Sequence, residues 1–306
     1  MKKISTPVVL ILFKRPELTK KVLESISKVQ PRHLYVIADG PREDCPVEKT
    51  LCDEARAIIE EIDWDCEIFK NYSDKNLGCQ QRIYSGLNWV FDHVESAIIL
   101  EDDCLAHPSF FPFCEELLQM YKDDERIIAI SGNNFQFGRE RTENSYYFSR
   151  YPHCWGWATW RRAWQHCDVD MTDWPTVRDQ GLLNNILDSH AAIRYWRFKF
   201  QQTYTGKIDT WDYPWLLACW LQGSLSILPQ NNLVSNIGFI SGGTHHSDDS
   251  TPFSEMPTVQ MKFPLIHPKF IVRHARADAF TQFYQFGMIA RFSRKILSTT
   301  KRFFYR

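Results

Sequence analysis

The stretch "AIILEDDCLAHPSFF" (residues 97–111) runs four apolar residues directly into three carboxylates. Residues 97–100 read as a buried strand, and Glu101, Asp102 and Asp103 crowd together at its end. Adjacent anions repel one another, so such a cluster calls for a cation. In an extended chain Glu101 and Asp103 face one way and Asp102 the other, so the acids need not share one task. Their hard oxygens suit Mg²⁺ or Mn²⁺, ions that commonly complete their shell with substrate phosphates. The bland alternative is a solvated acidic turn, which the acids alone fit equally well.

Outward from this stretch, apolar runs alternate with helical patterns. Strands are predicted at 7–13, 33–40, 66–71, 96–103 and 127–132, and helices at 16–29, 46–62, 76–94 and 108–124. The alternation predicts an α/β fold: one large domain around a mostly parallel sheet with helices on both faces. Ligands of such sheets bind at the carboxyl ends of the strands, where Arg15, Asp39 and the acids 101–103 all fall. Residues 153–222 are rich in Trp and in helical pattern, and 224–229 read as one further strand. The expected layout is a nucleotide-type half at 1–135, an aromatic-rich half of the same domain at 136–277, and a basic tail at 278–306.

The 306 residues carry a formal net charge of -1, which argues against a chain-wide field for nucleic acid. The nine cysteines are scattered without a CxxC pair, so neither a zinc framework nor a disulfide ladder is expected, and a reducing cytoplasm is the simplest home. The opening "MKKISTPVVLILFKRPE" imitates a secretion signal, but its apolar run stops after six residues at Lys14, so it reads as a first strand. No stretch approaches the ~20 apolar residues of a membrane span.

"IILEDDCLAHPSFFPFCEELLQMYKDDERIIAISGNN" (98–134) resembles the metal-binding segment of GT-A glycosyltransferases, in particular the inverting N-acetylglucosaminyltransferase I type and its O-mannose-linked relative. The likeness covers most of residues 6–245 and is strongest over 97–134. It implies Asp103 as the metal ligand, with Mn²⁺ or Mg²⁺ as cofactor. It further implies Asp102 at the uridine ribose or the metal's water shell, and Glu101 at the donor sugar. Asp39 would hold the uracil or its ribose, and Arg15 would sit at the uridine diphosphate. Arg82 falls where the family places a basic or polar nucleotide contact, and stands here in place of a His. "NLG" (76–78) also fits the broader pattern.

"HCWGWATWRRAW" (153–164) packs four tryptophans around Gly156. Indole faces suit pyranose rings, and the family has a Gly among bulky residues here, which implies a sugar floor that includes Trp157. A Trp-rich core is the alternative. "DTWDYPWLLACW" (209–220) places Asp212 between Trp211 and Tyr213, ahead of an apolar helix. Desolvation there would raise its pKa and suit a general base, but the spacing alone favours a helix cap. The family's Trp-Asp at this point implies Asp212 as the base beside Trp211, with Asp209 as competitor. "SGGTHHSDD" (241–249) reads as a lid from which His245 reaches the pyrophosphate or the metal. The tail from residue 280 has no acid and mixes basic with aromatic residues, as an interfacial helix or a solvated basic helix would.

The resemblance therefore implies an inverting glycosyltransferase that moves N-acetylglucosamine or another hexose from a UDP-sugar to a hydroxyl of a glycan or glycolipid. Its expected setting is cytoplasmic, at the inner face of a membrane if the tail binds lipid. Two rivals stand beside it. A nucleotidyltransferase uses a similar sheet, but usually carries a Gly-rich basic loop where this chain has "FKRPELTKK" (13–21). A non-catalytic carbohydrate-binding protein would not need the acids.

Overall fold

The computed structural model describes residues 3–239 and 252–287. His245 and residues 288–306 of the basic tail lie outside the described residues. The first elements alternate as expected: β1 (Val8–Leu12), α1 (Pro16–Ser27), β2 (His33–Ala38), α2 (Pro46–Ala57), β3 (Glu67–Tyr72), α3 (Cys79–His93) and β4 (Ser96–Glu101). Pro16 and Pro46 open α1 and α2, where a missing N–H costs nothing. There follow β5 (Cys104–Ala106), α4 (Phe110–Met120), β6 (Ile127–Ser131), β7 (Tyr146–Ser149) and β8 (Trp157–Trp160). The remainder is α5 (Arg161–Trp164), α6 (Trp174–Asp179), α7 (Leu183–Ile186), α8 (His190–Tyr204), α9 (Asp212–Leu221), β9 (Leu225–Pro229), β10 (Val234–Asn236) and α10 (Ala275–Phe286). Among the described residues no helix is long and apolar enough to cross a membrane.

Eight strands form one sheet in the order β3-β2-β1-β4-β8-β6-β9-β7. The half from β3 to β4 is parallel throughout, while β8 runs antiparallel to both its neighbours and β7 antiparallel to β9. Both faces are covered. Val8, Leu10 and Leu12 of β1 pack with Val22 and Ile26 of α1 and with Leu117 of α4, whereas Val9 and Ile11 pack with Leu87 of α3 and Trp215 of α9. Burial on both sides is why β1 is apolar at every position rather than at alternate ones.

Strand β8 departs from the expectation for residues 153–164. Its short run "WATW" sits in the middle of the sheet, between β4 and β6. Trp157 points into one core, and Ala158 and Trp160 into the other. Trp157 is 1% exposed and packs against Trp164, Trp211 and Trp215, so it offers no ring face to a sugar. Gly156 leaves no open floor either. Its φ is +64°, and a Cβ there would meet Val234 at 2.6 Å. Glycine is present because the backbone turns left-handed against β10, a conformation costly for any other residue. The described part of the tail is not a solvated arm: α10 buries Asp278 and Thr281 and sets Phe286 edge-on against Trp196 at 4.6 Å.

Register brings the functional ends level. Ile11 pairs with Glu101 and Leu12 with Ala38, so the carboxyl ends of β1, β2 and β4 meet along one edge. A buried acid of α2 fixes the loops that leave this edge. Glu48 accepts from Lys14, just after β1, and from the backbone and guanidinium of Arg42, just after β2. The Arg42 hydrogen bond, helped by Lys14, holds the Glu48 carboxyl down at about 2. A depressed carboxylate adds stability above its unfolded pKa and loses it as pH falls through the folded value. Glu48→Gln is expected to cost about 2 kcal/mol at pH 7, since Arg42 is half-exposed and screened. Thermal melts should show the gap between wild type and variant closing between about pH 4.5 and 2. A gap independent of pH would contradict this assignment.

Candidate active site at the strand ends

The three acids do not lie along an extended chain. The backbone turns at Asp102 and Asp103 between β4 and β5, so neighbouring carboxylates converge instead of alternating. Arg15, which precedes α1, reaches both: its guanidinium lies 2.7 Å from Asp103 Oδ2 and 3.3 Å from Asp102 Oδ1. The Phe13 N–H also donates to Asp102, at 3.2 Å. On the other side β5 pairs with β10, and Asn236 donates to Asp103 Oδ1 at 3.2 Å. Gly238 follows so closely that a Cβ would stand 2.3 Å from Asp103 Oδ2. One basic side chain from the first loop thus relieves part of the repulsion foreseen in the sequence.

The relief is incomplete. Burial pushes the Glu101 carboxyl well above the usual range, and the charges of Asp103, Asp102 and Asp212 push it further. Burial also lifts Asp102, against the pull of Arg15, to about 7. The site is short of positive charge. Among the described residues no three His, Cys, Asp or Glu side chains converge as a ready-made metal cage. The donor set fits instead a hard divalent ion held by one or two carboxylates and completed by phosphate oxygens.

The acids line a cavity of about 760 Å³, a size suited to small-molecule ligands. Its wall also includes Arg15, Asp39, Arg82, Trp155, Trp211 and Asp212. Asp39 is buried and committed to local structure: Oδ1 accepts from the N–H groups of Gly40 and Leu77, each at 2.9 Å, and Oδ2 from Asn76 at 3.0 Å. Burial raises its pKa, opposed by those bonds and by Arg82. Arg82, 5% exposed, gives its guanidinium N–H groups to Ala38 and Asn71 at the ends of β2 and β3. Burial lowers its pKa. Trp211 is 3% exposed and stacks on Trp157, 5.4 Å between centroids.

The two candidate bases separate cleanly. Asp209 is exposed and accepts from the N–H groups of Cys79 and Gln80 at 3.1 and 3.0 Å, capping α3 from a distant segment. Asp212 occupies the first position of α9, whose N-cap is Trp211, and its Oδ1 accepts from Thr210. Asp212 is therefore not the cap of its own helix, and its charge reaches Glu101. Sequence reasoning missed Asn133 and His153, both buried on the cavity wall. Asn133 was visible only as half of the "NN" pair at 133–134, and His153 only as the residue that opens the Trp run.

No model of a protein family matches the chain, and no curated protein does. Solved structures resemble it distantly. A UDP-glucose pyrophosphorylase complexed with UDP-glucose is 13% identical with a TM-score of 0.28, over 48% of this chain and 62% of its own. This chain thus spans less than two thirds of that enzyme's length. The galactosyltransferase LgtC, in complex with donor and acceptor sugar analogues, is 11% identical with a TM-score of 0.37 over 70% of each chain. A 4-diphosphocytidyl-2C-methyl-D-erythritol synthase from Anaerococcus prevotii is 10% identical with a TM-score of 0.28, over 66% of this chain and 84% of its own. Likeness of this degree says nothing about the reaction or the substrate of this chain.

Asp209→Ala removes the cap of α3 and is expected to lower stability by about 1 kcal/mol. Chemical denaturation of wild type and variant measures it, and an unchanged midpoint would withdraw the capping role.

Proposed function

We propose that this chain is an inverting glycosyltransferase that transfers a hexose, N-acetylglucosamine foremost, from a UDP-sugar to a hydroxyl of a glycan or glycolipid. The observation that carries the reading is the pairing of two acidic sites in one cavity. Glu101, Asp102 and Asp103 stand with Arg15 at the strand ends, and Asp212 stands at the start of α9. A diphosphate brings more negative charge into a site already short of cations, so it needs a partner ion to enter. Asp103, whose side chain is 15% exposed, would hold Mn²⁺ or Mg²⁺ together with the phosphates. When bound, that ion supplies charge stabilisation to the departing diphosphate.

The chain's own residues supply the rest. Arg15 stays beside Asp102 and Asp103 and faces the diphosphate as a second positive charge. Glu101 lines the same cavity as the acid pair and Asp212, whose charges all act on it, and in this reading it holds a sugar hydroxyl. Asp212 takes the proton of the acceptor hydroxyl as that oxygen attacks the anomeric carbon. The C–O bond forms on the face opposite the departing UDP, so a single displacement inverts the configuration. Asp39 and Arg82 shape the nucleotide end by fixing the loop at 76–77 and the ends of β2 and β3.

Calorimetry with UDP and UDP-N-acetylglucosamine, with Mn²⁺ and then with chelator, tests the donor site. Binding is expected only with the ion, and Asp103→Ala should abolish it while leaving the melting temperature near wild type. Asp212→Asn should keep UDP affinity and lower transfer to a glycan acceptor by ~10²–10⁴-fold. Wild-type transfer by that variant would remove Asp212 from the reaction. Release of pyrophosphate from UTP and a sugar phosphate, in place of UDP from a UDP-sugar, would replace the proposal with nucleotidyl transfer.

A further inference from the structure

Two adjacent asparagines follow β6, and their environments differ. Asn134 is wholly engaged: its Nδ2 donates to Pro229 and Gln230, its Oδ1 accepts from Gln136, and its N–H donates to Asn232. Asn133 is 1% exposed and lines the active-site cavity, yet among the described residues neither its Nδ2 nor its Oδ1 has a hydrogen-bond partner. Burying a donor and an acceptor unpaired is unfavourable, and folded proteins keep such groups few.

A second such group lies on the neighbouring segment. His153 is 5% exposed, lines the same cavity, and has no hydrogen-bond partner for Nε2 among the described residues. Its backbone N–H is held by Ser131 Oγ at 3.0 Å, and Gly132 donates to the Gly156 carbonyl at 2.7 Å. The segments that carry Asn133 and His153 are thus tied side by side. Phe135 meets the imidazole edge-on at 4.6 Å and Trp155 at 5.0 Å, which fixes the aromatic surroundings. Burial drives the His153 pKa down to about 3, so the ring is neutral at physiological pH.

Resting on the glycosyltransferase reading above, we propose that Asn133 and His153 form a specificity pocket for an uncharged hydrogen-bonding substituent of a sugar. A carboxamide presents one donor group and one acceptor, and a neutral imidazole nitrogen adds one of either kind. A sugar hydroxyl or an N-acyl amide, which both donates and accepts, complements that set. Asn133 and the neutral His153 ring themselves bring no positive charge to a carboxylate or phosphate. Rejection of a sugar lacking the substituent follows, because the protein's buried polar atoms would remain unpaired. The substituent belongs to the donor hexose or to the acceptor, and the arms of the test separate these sources.

Asn133→Leu, Asn133→Ala and His153→Phe remove the polar atoms, the alanine without adding bulk. Each variant and the wild type are titrated with UDP, UDP-glucose and UDP-N-acetylglucosamine in the presence of Mn²⁺, and melted. Among the described residues Asn133 Nδ2 and Oδ1 and His153 Nε2 have no hydrogen bond to lose, and phenylalanine keeps a ring against Phe135, so melting temperatures should hold for at least one variant at each position. If the donor carries the substituent, affinity for a UDP-sugar falls about tenfold or more while affinity for UDP is unchanged. If the acceptor carries it, UDP-sugar affinity holds and binding of methyl glycosides of N-acetylglucosamine, galactose or mannose in the presence of UDP is lost. Unchanged affinity in both arms would overturn the pocket, as would a large fall in melting temperature for every variant at both positions. Failure of the wild type to bind UDP or any UDP-sugar would instead overturn the glycosyltransferase reading. The pocket then stands or falls on the methyl glycosides alone: binding lost in the variants supports it, and binding equal to wild type or absent refutes it.

Discussion

Charge at the end of β4 is the constraint around which the site is organised. Three carboxylates in succession cannot share a buried turn unless something positive lies among them. Arg15 does so from the loop after β1, at 2.7 Å from Asp103. That contact is possible because β1 and β4 are neighbours in parallel register, with Ile11 opposite Glu101. It in turn fixes what can stand beyond the turn. The β5–β10 pair brings Asn236 onto Asp103, and only glycine tolerates the approach at residue 238. Sheet order, ion pair and glycine are one arrangement seen at three levels.

Around that arrangement the polar side chains divide by where their hydrogen bonds go. Asp39, Arg82, Asn134 and Asp209 direct most of theirs to backbone groups, and so hold loops and helix ends in place. Asn133 and His153 keep buried polar atoms that no hydrogen-bonding group among the described residues meets. Residue type does not distinguish the two groups, as the adjacent asparagines illustrate. A buried donor already bonded to a carbonyl costs more to redirect than one with no bond to break. Hydrogen-bond accounting therefore separates side chains committed to the scaffold from those that are not, in a way that charge and burial do not.

The parallel half was legible because its strands are mostly apolar and separated by amphipathic helices, from "PVVLILF" at 7–13 to "SAIILE" at 96–101. The strand ends followed, and with them the grouping of Arg15, Asp39 and residues 101–103. Strand β8 was not legible. Four residues give too short a period, both faces are apolar, and the indoles suggested a surface where the sheet required a core. The turn at Asp102 and Asp103 was equally hidden, since acids in succession look alike whether the chain extends or bends. Asp209 and Asp212 could not be ranked from spacing, because the helix that Asp209 caps lies some 130 residues earlier in the chain. A long-range hydrogen bond leaves no trace in local pattern.

The place of β8 has a consequence for the order in which the molecule assembles. Strands β4 and β6 are separated by about 25 residues in sequence but never pair with each other. The seam between them closes only when residues 157–160 arrive from further along the chain. Until then a growing polypeptide exposes one edge of β4 and, because β9 comes later still, both edges of β6, and such apolar edges are prone to pair with other chains. Pairing across a wide sequence separation is also intrinsically slow. Synthesis of the first 135 residues therefore leaves a half-sheet that waits for its central rung, and the tryptophans of that rung lock it once it is inserted.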